Sequence, residues 1–230
     1  MTCKETKKNA AIQPPNIGIF FFTPSYIPIY CDYEAVIPLQ MGIFLLQERA
    51  YLCNIIFKKT NKMNKIGVFY GSTTGTTEDL ARRVAEALDV DTKNVYDVSK
   101  LTEALVQEFD VLVLGSSTWG AGELQDDWYD GVKILKSCDL SHKCVALFGC
   151  GDSDSYSDTF CDAIGILYEE LKDTRCKFCG ATSTNGYTFD SSIAVVDGKF
   201  IGLPLDEVNE ESQTEDRIAR WAEQLKQEIS

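Results

Sequence analysis

Residues 63–230 predict an α/β fold, a doubly wound parallel sheet with helices on both faces, and three observations carry that reading. Apolar, β-branched and aromatic runs recur at 65–70 ("KIGVFY"), 110–117 ("DVLVLGSS") and 143–150 ("KCVALFGC"), without the polar alternation of a one-sided strand. Amphipathic segments at helical spacing separate them. Each run ends in a polar loop, and in open α/β sheets such loops gather at the carboxyl ends of the strands, where ligands bind.

In order along the chain, "KIGVFY" is the first strand and stops at Gly71. Leu80, Ala81, Val84, Ala85 and Leu88 then trace one helical face. "NVYDV" (94–98) is a short second strand, followed by a polar segment carrying Leu101, Ala104 and Leu105. After the third strand a helix starts near Asp126 and carries Trp128, Val132 and Leu135. The fourth strand precedes the helix "DTFCDAIGILYEELK" (158–172). "CKFCGA" (176–181) starts a fifth strand, and Asp197-Gly198 marks a hairpin between "IAVV" and "KFIG". Thr214 reads as the N-cap of a last helix with Ile218, Trp221, Ala222, Leu225 and Ile229 on one face.

Residues 1–62 differ in composition. They hold five of the six prolines and a net charge of +3, leaving −16 on the rest of a chain whose total is −13. A secretory signal needs an unbroken apolar core, and Pro24 and Pro28 interrupt "IGIFFFTPSYIPIY". A transit peptide is rich in Arg and Ser, and this segment has one of each. "AVIPLQMGIFLL" falls short of the roughly 20 apolar residues of a membrane span. The segment therefore reads as a disordered N-terminal extension of unknown role or an over-called start with Met63 as initiator; a targeting sequence and a docking arm are the alternatives.

The nine cysteines are scattered and read as reduced and structural. Cys176 and Cys179 form a lone CxxC without a second pair or a nearby His, which favours packing over a metal site. His142 is the only histidine, so a Ser-His-Asp site or a His-rich metal site is a poor fit. No catalytic residue and no metal ligand is assigned.

Three loops carry the candidate site. Ser72, Thr73, Thr74, Gly75, Thr76 and Thr77 lie between a strand and a helix N-terminus, where backbone N–H groups and the helix dipole suit an anion. The loop lacks the lysine of a P-loop, so a monophosphate held by neutral donors fits it better than a polyphosphate. A Ser/Thr-rich turn with a helix cap would have the same composition. The second loop contains Ser117, Thr118, Trp119, Gly120, Ala121 and Gly122, and the third contains Cys150, Gly151, Asp152 and Tyr156. Two aromatics beside a monophosphate suggest a flat ring stacked between them.

"GSTTGTTE", "STWGAGELQDDW", "GDSDSYSDTFCDAIG" and "GYTFDSS…DGKFIGLPLDE" resemble the long-chain flavodoxins in order and spacing, over essentially all of 63–230. The resemblance implies a five-stranded sheet of order 2-1-3-4-5, with the fifth strand interrupted by a loop, and FMN at the switch point. It implies that Ser72 to Thr77 hold the phosphate and that Trp119 and Tyr156 flank the isoalloxazine. Backbone groups near Gly120, Cys150 and Asp152 would meet the ring edge; Thr76 departs from the Asn of many relatives.

The implied function is a low-potential one-electron carrier, not an enzyme, shuttling FMN between semiquinone and hydroquinone. Its implied partners are a ferredoxin/flavodoxin–NADP reductase or an oxidoreductase normally served by ferredoxin. Glu123, Asp126, Asp127 and Asp130 read as an acidic collar for such partners. The alternative is an FMN-dependent NAD(P)H:quinone oxidoreductase on the same fold. Neither nucleic acid nor membrane is expected as a partner, and the protein reads as a cytoplasmic monomer.

Overall fold

Strand residues divide between two cores, which is why the apolar runs show no polar alternation. In β3 (Val111–Trp119), Leu112 and Leu114 enter one cluster, while Val111 and Val113 enter the other. β5 (Cys144–Cys150) does the same with Val145 and Leu147 against Ala146 and Phe148. Side chains alternate across a strand, so a sheet covered on both faces needs apolar residues at every position. The computed structural model describes residues 64–230; the expectations for residues 1–62 lie outside the described residues.

β1 (Ile66–Gly71) pairs in parallel with β2 (Val95–Asp97) on one side and β3 on the other, and β3 pairs in parallel with β5. The next position is filled twice. β6 (Lys177–Cys179) lies in parallel beside the start of β5, with Val145 opposite Phe178. β10 (Leu203–Leu205) lies beside its end, with Leu205 opposite Cys150. The fifth strand is thus one strand in two pieces, and the parallel order is the expected 2-1-3-4-5. A short antiparallel strand, β4 (Glu123–Leu124), folds back on the end of β3.

The inserted segment forms a small antiparallel sheet of β7 (Thr182–Ser183), β9 (Lys199–Phe200) and β8 (Val195–Val196), in that order. Its β8–β9 turn is the expected one: Asp197 and Gly198 have φ of 51° and 75°, the left-handed pair a two-residue hairpin needs.

Helices α1 (Thr76–Ala87) and α5 (Glu211–Glu228) cover one face through Leu80, Val84, Ile218, Trp221 and Leu225. Helices α3 (Trp128–Ser137) and α4 (Asp162–Leu171) cover the other through Trp128, Leu135, Ile164 and Leu167. A five-residue helix, α2 (Glu103–Gln107), precedes β3. Both buried indoles find acceptors, Trp128 Nε1 at Gly115 O (2.9 Å) and Trp221 Nε1 at Gly180 O (2.7 Å). Arg217 of α5 fastens the insertion: its guanidinium stacks 3.9 Å from the Tyr187 ring centroid and donates to Gly186 O at 2.7 Å.

Two sequence expectations change. Thr214 does not cap α5, which begins at Glu211; it is buried in the first turn with its hydroxyl on the Glu207 carboxylate. A tertiary partner has taken the group that a cap would use. α1 begins at Thr76, four residues before its apolar pattern starts at Leu80, so Thr76 and Thr77 of the expected 72–77 loop belong to its first turn. The CxxC pair packs as expected: Cys176 lies against one core cluster and Cys179 in the other, on opposite faces of the sheet. Burial, with Cys144 alongside, pushes the Cys179 thiol up to about 12.

Candidate functional site

Each of β1, β3, β5 and β10 delivers a loop to the same edge of the sheet. Gly75 ends the first loop with φ of 94°, a left-handed conformation open to glycine, and stands as the N-cap of α1. Its N–H donates to Ser72 Oγ at 3.1 Å, while Thr74 and Thr76 face each other through their hydroxyls at 3.5 Å. Thr77 is buried, with its hydroxyl 3.2 Å from Cys150 Sγ, so it ties the first loop to the third. The carboxylates in the first turn are paired: Glu78 with Arg82, and Asp79 with Arg83 at 3.4 Å. The helix N-terminus, with its free N–H groups, is therefore not answered by an uncompensated acid.

The second loop is a hairpin. Thr118 pairs with Leu124 and Trp119 with Glu123, and Gly122 N–H donates to Trp119 O at 3.0 Å across the turn. Gly120 and Gly122 have φ of 53° and 105°. A Cβ at Gly122 would lie 2.9 Å from Asp162 Oδ2, so the hairpin seats closely on the start of α4. Thr118 strengthens that seat by accepting from Ala163 N–H at 3.3 Å. Burial raises the Asp162 carboxyl above the usual carboxylate range, although Ile193 N–H donates to it at 2.9 Å. Trp119 Nε1 donates to Ser117 Oγ at 2.8 Å, which fixes the indole over the loop.

The third loop turns on Asp152, whose Oδ1 accepts from Ser155 N–H at 2.9 Å and Asp154 N–H at 3.2 Å. These backbone donors and the Asn209 amide hold its carboxyl below the usual range. Tyr156 N–H donates to Asp152 O at 3.0 Å and leaves the tyrosine ring at the rim.

Together the loops bound a cleft of about 360 Å³. Of the residues expected from sequence, Thr74, Thr76, Ser117, Thr118, Trp119, Gly120, Cys150, Gly151, Asp152 and Tyr156 line it. Ser72, Thr73, Gly75, Thr77, Ala121 and Gly122 lie in the same loops without lining it. Thr159, Glu207 and Val208 line the cleft and were missed. The last two follow β10: Glu207 ends the "GLPLDE" stretch, whose apolar run into acids was the available signal, and Val208 comes next. Glu207 is paired with Arg83 at 2.9 Å. Trp119 and Tyr156 are 39% and 54% exposed, so both rings offer apolar surface at the opening. Among the described residues, no Lys or Arg lines the cleft.

Beside the hairpin, Glu123, Asp126, Asp127 and Asp130 are exposed. Two of them have local partners: Asp130 holds Lys133 at 2.7 Å, and Asp127 accepts from Gln125 Nε2 at 2.8 Å.

The fold and cleft define a doubly wound α/β protein with a ligand site at the carboxyl edge of its sheet, neutral donors at one end and two aromatic rings at the other. A flavodoxin family model matches residues 68–221. Flavodoxins of Buchnera aphidicola subsp. Acyrthosiphon pisum and of a Nostoc species are 42% and 43% identical, over 71% and 72% of this chain and 96% and 97% of theirs. The crystal structure of Fusobacterium nucleatum flavodoxin bound to flavin mononucleotide aligns with a TM-score of 0.66 at 32% identity, covering 73% of this chain and all of that one. The chain belongs to the flavodoxin family.

Proposed function

We propose that this chain binds FMN non-covalently in the cleft and carries single electrons between redox proteins at low potential. The observation that carries the reading is the joining of two exposed aromatic rings, Trp119 and Tyr156, to a hydroxyl-rich helix N-terminus across one cleft. A volume of about 360 Å³ falls within the range of small-ligand sites. The donor set suits a ring joined to a monophosphate, because hydroxyls and backbone N–H groups satisfy its oxygens without a cation. FMN, when bound, supplies one-electron chemistry.

The protein's residues supply the rest. Thr74, Thr76 and the backbone of Ser72 to Thr77 hold the phosphate, and Trp119 and Tyr156 cover the ring. Backbone groups of Gly120, Cys150 and Asp152 meet its polar edge. A net charge of −16 over residues 63–230 disfavours adding negative charge beside it, which lowers the potential of the last reduction. The acidic collar of Glu123, Asp126, Asp127 and Asp130 meets basic patches on a ferredoxin/flavodoxin–NADP reductase or on an oxidoreductase normally served by ferredoxin. The same reading makes the protein a cytoplasmic monomer, with residues 63–230 as the FMN-binding domain and 1–62 as an extension. Among the described residues, no helix is long and apolar enough to cross a membrane.

Titration of the apo-protein with FMN and with riboflavin tests this. FMN binds far more tightly than riboflavin if the Ser72–Thr77 loop holds a phosphate; equal affinities remove that role. Rapid oxidation of NADH or NADPH with a quinone by the pure protein would instead support the oxidoreductase.

A further inference from the structure

Asp206 is fully buried and lies directly after β10, outside the cleft lining. Its carboxylate accepts five hydrogen bonds, and they come from two walls of the site. From the third loop, Ser153 donates through its N–H at 2.9 Å and its hydroxyl at 2.6 Å, both to Oδ2. From the segment after β10, Val208 N–H and Asn209 N–H each donate to Oδ1 at 2.9 Å, and Asn209 Nδ2 donates to Oδ2 at 3.0 Å. The same Asn209 amide reaches Asp152 Oδ1 at 2.9 Å, joining the two carboxylates that organise these walls.

The bonded residues are next to residues that line the cleft, and Val208 lines it itself. Ser153 follows Asp152 in the loop that carries Tyr156, and Val208 follows Glu207. A buried anion needs donors at its lone pairs, and one that draws them from two loops fixes those loops against each other. All five donors to Asp206 belong to the third loop and the 207–209 segment, so its link bears directly on the Tyr156 side of the cleft, while the first loop meets the third separately through Thr77 and Cys150.

We propose that Asp206 is a positioning residue for the ring end of the cleft: its carboxylate locks the 150–156 loop to the 207–209 segment, so that Tyr156 is held where it covers the flavin. The inference rests on the FMN reading and adds to it a residue that touches no part of the cofactor. Such a residue affects binding of the ring whether or not a phosphate is attached. A residue at the phosphate end affects FMN alone.

The experiment is a titration of wild-type and variant full-length apo-protein with FMN and with riboflavin, following flavin fluorescence. Asp206→Asn puts an amide donor where Ser153 and Asn209 also donate, and raises the Kd of both flavins by the same factor, about tenfold or more, as expected for lost hydrogen bonds to a charged group. Residual fluorescence of the bound flavin rises as Tyr156 loosens. Asn209→Ala, an exposed and milder change, gives a smaller loss that is again equal for both flavins. Thr74→Ala, at the other end, weakens FMN and spares riboflavin. Wild-type affinity for riboflavin in both Asp206→Asn and Asn209→Ala, or a loss confined to FMN, would overturn the proposal. If Asp206→Asn does not fold, Asn209→Ala decides on the same criteria. Failure of the wild type to bind either flavin would overturn the FMN reading instead.

Discussion

Trp119 and Tyr156 leave 39% and 54% of their surface open beside the cleft, an exposure that a bound ligand or partner would relieve. Trp119→Ala and Tyr156→Ala are each expected to weaken FMN binding by about 1–3 kcal/mol, from lost burial and stacking. Calorimetric titration of apo-protein measures this. These two rings were legible in the sequence because each sits in a polar loop just past an apolar strand. Asp206 was not legible, since its donors come from stretches some 50 residues apart and no local pattern marks a carboxylate that folding will bury.

Titration adds a test at the same scale. Burial alone would raise the Asp206 carboxyl, but the donors from Ser153 and Asn209 outweigh it and hold it below its ordinary value. Asp152 is lowered too, so both contribute stability that is fully present above the unfolded carboxylate pKa of roughly 4 and is lost as pH falls through their folded values. Around Asp206 lie Asp152 and Cys150 from the third loop, Cys161 at the start of α4, and Glu207 with Arg83. Folding stability should therefore carry a component from these two carboxylates that is lost as pH falls below about 4. Asp206→Asn should reduce that component in thermal melts over a pH series. Asp162 runs the other way: its raised folded pKa is a penalty present above that pKa and lifted as pH falls through it, so Asp162→Asn should gain stability over wild type as pH rises above the unfolded carboxylate value of roughly 4.

At the scale of elements, the hairpin after β3 is where glycine matters most. Gly120→Ala and Gly122→Ala each put a side chain at positive φ, at about 1–2 kcal/mol. At Gly120 the new methyl meets only the end of the Glu123 side chain, which can move; at Gly122 it meets Asp162, which Ile193 N–H holds in place. Gly122→Ala should therefore lower the thermal midpoint of the apo-protein more than Gly120→Ala does. The reverse order would show that the seat on α4 does not constrain the turn. Long elements were readable because burial on both faces leaves unbroken apolar runs, as in "DVLVLG" and "KCVALFG". β4 and β7 to β9 are two residues each, too short to show a period; only the β8–β9 turn announced itself, through Asp197-Gly198. Thr214 misled because a buried hydroxyl bonded to Glu207 looks, in sequence, like a cap.

At the scale of the molecule, the proposed function has −16 of net charge over residues 63–230 and the acidic residues around the hairpin meet a basic partner, and electron transfer between them would then be salt-dependent. The second-order rate should fall as ionic strength rises, because screening shortens the field to about 10 Å at 0.1 M. Stopped-flow measurement over a salt series reads this, and a flat series would remove the collar's role. Residues 63–230 expressed alone should bind FMN with the affinity of the full chain, consistent with a family match that begins at Val68. Whether the flavin is held so that it moves one electron at a time is read most directly by anaerobic stepwise reduction of the FMN-loaded full chain, followed by visible absorption. Two separated one-electron stages, the second at a potential well below that of free FMN, are predicted. A single two-electron step at the potential of free FMN would contradict a one-electron carrier.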